Sequence, residues 1–317
     1  MSLAPLTTWL AGCFLLVAAI LAHATERSSC SDTMLDDEDL TVTPGRTLLQ
    51  VDPPVSKELA LNVMENYISA LKDVGKGNLD PYQNQFCESF VVKDPVGTKK
   101  RHDKQQLQLA LEDRQDLLMP EGFMLEVHAK TIAQDYKYTA VFATMVVPDA
   151  YGLYEKVNRT DLLTISQSGC VQNVTTYWSA AGSLLSSPAS DRHKLTEKAI
   201  RDYLTALHKL GTGTDQESYF SKFAKKNLKV HDPYGGKDQP MESVEVLKKR
   251  IPELAASLAP KGFTVTVKGV LAAHNPRYGS AHLVLNIVGG PSVDIIDIFK
   301  ITGNGKVKDL KAVWHIY

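Results

Sequence analysis

"VDIIDIFKITGNGKVKDLKAVW", residues 293–314, decides the fold. Its first half alternates, so Val293, Ile295, Asp297 and Phe299 fall on one strand face and Asp294, Ile296 and Ile298 on the other. "TGNGK" reads as a hairpin turn, and a second strand returns to Trp314. The pattern also occurs earlier in the chain. "DLLTISQSGCVQNVTTYW", residues 161–178, aligns with "DIFKITGNGKVKDLKAVW", residues 297–314, with 17 residues from Asp to Trp in both.

The correspondence extends outward. "PEGFMLEVH" from Pro120 matches "PKGFTVTVK" from Pro260. "VKDPVG", residues 92–97, matches "VHDPYG", residues 230–235. "ENYISALKDVGKG" from Glu65 matches "RDYLTALHKLGTG" from Arg201. The chain is therefore a tandem duplication. Each repeat opens with a helix: Ala60, Val63, Tyr67, Ala70 and Leu71 share one apolar face, as do Ala199, Ile200, Tyr203, Ala206, Leu207 and Leu210. A second helix follows the Asp-Pro turn, and strands come after it. Helices followed by successive antiparallel strands predict an α+β fold, with helices packed on one side of a curved sheet.

The ends and joints differ in composition. Residues 1–24 contain the uncharged run "WLAGCFLLVAAILA" followed by "HA", with Ala22 and Ala24 at the small-residue positions of a cleavage site. That is the pattern of a signal peptide, with an N-terminal anchor as the other reading. Residues 25–55 read as an acidic flexible tether and 180–190 as a linker. The two repeats then cover 56–179 and 191–317. Beyond the signal segment stand Cys30, Cys87 and Cys170, an odd number that allows one disulfide of unspecified pairing. The triplets at Asn158 and Asn173 are glycosylation sequons. Together these features predict a secreted or lumenal glycoprotein. A formal net charge of −1 predicts no attraction to nucleic acid or, after cleavage, to a membrane surface.

Three polar residues recur in the same order in both repeats: Tyr67, Asp94 and Asp161, then Tyr203, Asp232 and Asp297. Each has a structural reading. A tyrosine on an apolar helix face is normally packing. Asp before Pro, with Gly three residues after the Asp, forms a turn. A strand Asp can sit at an edge and face water. A turn requirement explains only one of the three, and their joint recurrence points to a site. Asp297, among apolar neighbours, should have a raised pKa and serve as a neutral hydrogen-bond donor. No His-Glu-x-x-His, Cys-x-x-Cys or phosphate-binding loop is present, and no cofactor or metal is expected.

At "YLTALHKLG" (203–211), "VHDPYGG" (230–236) and residues 293–314, the second repeat resembles a ketosteroid isomerase, within the wider nuclear-transport-factor-2-like (SnoaL-like) class. The resemblance spans each whole repeat. It implies two tandem cone-shaped domains, with helices closing over a curved antiparallel sheet and a deep apolar pocket. It implies a general base at Asp232, oxyanion donors at Tyr203 and Asp297, and Trp314 packed beside the base. Phe299, on the face of Asp297, joins Trp314 and Trp178 as an expected substrate contact. In the first repeat the base would be Asp94 and the donors Tyr67 and Asp161, beside Trp178. The class commonly dimerises through its sheets, which raises an intramolecular pseudo-dimer as an expectation.

This chain departs from the class in several places. Phe223 and Phe86 stand near a position where the class can carry a supporting tyrosine, and Lys248 near another, so a reduced hydrogen-bond network is expected. Arg159 shares the strand face of Asp161 and should favour its ionised form, which makes the second repeat the expected active centre. His231, beside Asp232, is expected to face solvent. The implied activity is double-bond isomerisation of an apolar carbonyl compound such as a 3-oxo-Δ5-steroid. Epoxide opening or cyclisation, and non-catalytic ligand binding, are the other readings.

Overall fold

A computed structural model describes residues 54–317, apart from 97, 119–121, 149–153, 179–188, 237–238 and 315–317. The signal segment, nearly all of the tether, Cys30 and most of the linker lie outside the described residues.

The first repeat runs α1 (Lys57–Val74), α2 (Asp80–Gln83), β1 (Phe86–Lys93), α3 (Lys104–Leu118), β2 (Met124–Ile132), β3 (Tyr138–Pro148), β4 (Tyr154–Ile165) and β5 (Val171–Trp178). The second runs α4 (Asp191–Gly211), α5 (Gln216–Phe220), β6 (Lys229–His231), α6 (Val244–Leu258), β7 (Phe263–Ala272), β8 (Tyr278–Ile287), β9 (Ser292–Ile301) and β10 (Val307–Val313). The long helices start at serine caps: Ser56 Oγ accepts from Leu59 N and Ser190 Oγ from His193 N. Their apolar faces are buried where the three- and four-residue spacing put them, Tyr67 and Tyr203 included.

Each repeat builds a five-stranded sheet, β1-β5-β4-β3-β2 and β6-β10-β9-β8-β7. The fold is α+β as expected. Each sheet is mixed, however, because the strand before the Asp-Pro turn joins its last strand in parallel. A helix crossover separates that strand from the rest, and only such a connection lets it lie parallel. Register slips at Val127/Ala129 and Val267/Gly269, equivalent places in the two sheets. Such bulges bend and twist the sheet around its helices. Cys87 at the start of β1 pairs with Cys170, just before β5. The bridge closes a separation of 83 residues and ties the parallel strand to its neighbour.

The two faces of each sheet have different partners. In β9, Val293, Ile295 and Phe299 pack with the helices of their own repeat. Ile296 and Ile298 on the opposite face pack with Phe142, Leu162 and Tyr177 of the first repeat. The sheets thus meet back to back, joined also by a hydrogen bond between the Thr160 and Ser280 hydroxyls at 2.6 Å. Gly269 permits this approach, since a Cβ there would lie 2.5 Å from the Phe142 ring. Of the two sequons, Asn173 is exposed, while Asn158 accepts a hydrogen bond from Thr144 within β4.

Candidate functional site

In the second repeat the recurring residues converge on one cavity. Tyr203 comes from the buried face of α4, Asp297 from β9, Asp232 from the turn after β6, and Trp314 follows β10. The remaining wall is apolar and includes Leu207, Ile251, Leu258, Leu285, Val293 and Ile295. The space between the walls is about 690 Å³, counted through the open mouth.

β9 is the middle strand of its sheet, and Asp297 is only 2% exposed, so the edge-strand reading does not hold. Burial raises its pKa well above the carboxylate range, and the nearby charge of Asp232 raises it further. Its Oδ1 is buried without a hydrogen-bond partner. Burial also raises the pKa of Asp232, opposed by the Trp314 indole, which donates to Asp232 Oδ1 at 2.8 Å. Tyr203 is held neutral by burial.

A raised folded-state pKa has a sign that stability measurements can read. The unfolded Asp297 ionises near 3.9. Above that pH the folded chain keeps a proton the unfolded chain has lost, so stability falls by up to about 1.4 kcal/mol per pH unit until the folded pKa is reached. Asp297→Asn removes this proton linkage while keeping shape and a donor. The variant is expected to be more stable than wild type at pH 7, with a shallower decline between pH 4 and 7. Urea midpoints across that range measure it.

Tyr203 is not alone. The expectation of a reduced hydrogen-bond network is corrected here, because Tyr219 hydrogen-bonds its hydroxyl and lines the same cavity. Tyr82 does the same for Tyr67, with hydroxyls 3.4 Å apart. The sequence reading looked at Phe223, Phe86 and Lys248 and passed over both tyrosines. The available signal was their matching position, one short helix after the repeat's first tyrosine. Phe223 packs edge-on against Tyr203 and Tyr219, and Lys248 pairs with Glu217 at the surface. Phe299 is fully buried edge-on behind Tyr203, at 5.2 Å between ring centroids, and is not among the cavity-lining residues. His231 is half-buried against the Tyr234 ring rather than free in solvent.

The first repeat brings the same residues together around a cation. Arg159 Nε lies 3.0 and 2.9 Å from the Asp161 oxygens, and Arg159 Nη2 lies 3.4 Å from Asp94 Oδ2. Trp178 donates to Asp94 Oδ1 at 2.7 Å, repeating the Trp314–Asp232 bond. Arg159, Asp94 and Asp161 are all buried. Burial raises the pKa of Asp161 and Arg159 pulls it back toward the ionised form. Two residues before Asp297 the second repeat has Ile295 in the corresponding place. The same strand face therefore carries a neutral acid in one repeat and an ion-paired one in the other.

Tyr, Asp and Asp recur in both repeats, and in the second they line an apolar cavity. The fold is α+β, two repeats that each carry a five-stranded mixed sheet. No protein-family model matches the chain, and no curated protein matches it. Among solved structures it is similar to SalBIII, described as an epoxide hydrolase/cyclase-like enzyme in pyran ring formation in the polyether salinomycin. The identity is 20% over 38% of this chain and 92% of that one, with a TM-score of 0.33. It is also similar to a structure described as a "putative ketosteroid isomerase from Kribbella flavida DSM 17836", 14% identical over 39% of this chain and 81% of that one, with a TM-score of 0.31. Among the described residues no group of His, Cys, Asp or Glu side chains could hold a metal ion.

Proposed function

We propose that the protein is a proton-transfer isomerase that moves a carbon–carbon double bond into conjugation with a carbonyl. Its substrate is apolar and steroid-like in size. The observation that carries this reading is the unpartnered Oδ1 of Asp297, buried in the apolar cavity that Tyr203 and Asp232 also line. A carboxyl kept neutral there has a proton to give and no protein acceptor for it. In the proposed reaction Asp232 takes a proton from the carbon between the carbonyl and the double bond. The electron pair shifts onto the carbonyl oxygen, which Tyr203 and Asp297 stabilise by donation. Asp232 then returns the proton at the far end of the dienolate, so no atom is gained or lost. In the proposed complex Tyr203 turns its proton to the substrate oxygen, and Tyr219, lining the same cavity, donates to Tyr203 in turn. The Cys87–Cys170 disulfide supports an oxidising, secretory location.

The test is conjugation of a β,γ-unsaturated ketosteroid, followed by ultraviolet absorbance. Turnover is expected, and Tyr203→Phe should lower kcat by about 10²-fold, the usual cost of one oxyanion donor. The same variant should weaken binding of a phenol that mimics the enolate. Absence of wild-type turnover would remove the isomerase reading. A second reading, epoxide opening, is favoured by the raised pKa of Asp232 as well as Asp297, since two neutral acids suit epoxide activation. An epoxide substrate run in parallel decides between the two.

A further inference from the structure

Within its own repeat the turn that carries Asp232 is held in part through Tyr234, whose ring lies 5.5 Å from the His231 ring and 4.8 Å from Lys311 Nζ. Trp314 bonds the carboxylate, and Tyr234 N donates to Ala312 O at 2.7 Å. Its outer side rests on the first repeat. The Tyr234 ring packs on the Tyr138 ring with centroids 4.5 Å apart. Gly235 has φ +77°, and a Cβ there would lie 2.5 Å from Asp135 Oδ1 and 3.0 Å from Ala133 Cβ. Tyr138, Asp135 and Ala133 all belong to the β2–β3 hairpin. That hairpin is itself tightly closed: Ala133 N donates to Tyr138 O at 2.8 Å, and Lys137 N donates to Asp135 Oδ1 at 3.0 Å. At the equivalent place in the first repeat's turn stands Val96.

We propose that the first repeat serves the second as a positioning partner: its β2–β3 hairpin, through Tyr138 and Asp135, sets the placement of the turn that bears Asp232. The proposal rests on Asp232 being the base of the proposed reaction. Tyr138 and Asp135 do not reach the cavity and act only through Tyr234 and Gly235. A general base displaced by as little as about 1 Å can lose about two orders of magnitude in rate while substrate binding is kept.

The experiment uses the full chain and reads two signals. Tyr138→Ala should lower kcat for the ketosteroid about tenfold with KM unchanged, while Tyr138→Phe, which keeps the ring, should stay near wild type. The Trp314 indole N–H resonance reports the bond to Asp232 without requiring turnover. In Tyr138→Ala, and in Gly235→Ala, it should shift and exchange with solvent at least tenfold faster. The Trp178 indole, bonded to Asp94 in the other repeat, should not change and so controls for folding. The proposal is overturned if the Trp314 resonance stays at its wild-type position, or if Trp178 changes with it, which would indicate general loosening. If wild type lacks turnover but the Trp314 signal alone responds, the isomerase reading fails and the positioning of the turn stands.

Discussion

Asp232→Asn is expected to lower kcat for a β,γ-unsaturated ketone by about 10³- to 10⁴-fold, the upper part of the range for removing a general base. Asn has the shape of Asp, and its carbonyl can still accept the Trp314 N–H, so the turn and the cavity should persist. What disappears is basicity. Tyr203 and Asp297 keep their protons, and a phenol that occupies the oxyanion position should bind about as tightly as before. Loss of turnover with retained phenol binding separates chemistry from mere ligand binding. The wild-type pH profile gives a second check. Burial raises the Asp232 pKa, and the base must be ionised to act. Activity should therefore fall away, as pH drops, at a pH above the ordinary value of about 3.9 for Asp. Full turnover in Asp232→Asn would sink the assignment of the base.

Much of this site was legible because it depends on local periodicity. Alternation along β9 assigns Asp297 to the face of Val293 and Ile295, and the three- and four-residue spacing of α4 assigns Tyr203 to the buried face. The structure keeps both. Alternation gives a face but not a depth, which is why Phe299 ends behind Tyr203 rather than in the cavity wall. Tyr219 was missed because α5 has only five residues, too few for a period to emerge. The Cys87–Cys170 pair follows from β1 lying parallel to β5, a long-range pairing that no spacing encodes. The contact of Tyr138 with Tyr234 lies still further out of reach, since it exists only once two sheets have met back to back. The Arg159 effect was half visible. Its place on the face of Asp161 is a matter of alternation, but its second bond, to Asp94, requires the turn to fold over the strand.

Arg159→Met is expected to destabilise the protein by about 3–5 kcal/mol at pH 7, the usual cost of removing one partner from a buried ion pair. The shift in Tm should be on the order of 10 °C for a chain of this size. Asp161 and Asp94 would remain buried with no cation between them. With Arg159 gone, only the hydrogen bond with Thr176 opposes the effect of burial on Asp161, and its folded-state pKa rises further. The deficit should therefore shrink as pH falls toward about 4, where the unfolded carboxylates also take up protons. Arg159→Met combined with Asp161→Asn should recover part of the loss, because the two side chains form one network. Thermal melts at pH 4.5 and 7 measure all three effects. A single variant as stable as wild type at pH 7 would mean that the cluster is not an ion-paired one. Turnover per folded molecule should be unchanged, since Arg159 belongs to the first repeat and Ile295 occupies the corresponding position in the repeat that carries the proposed base. The comparison isolates one strand position. With an isoleucine there, burial raises the pKa of the neighbouring acid and leaves one of its oxygens without a partner; with an arginine, both oxygens of the same acid are taken up by the guanidinium.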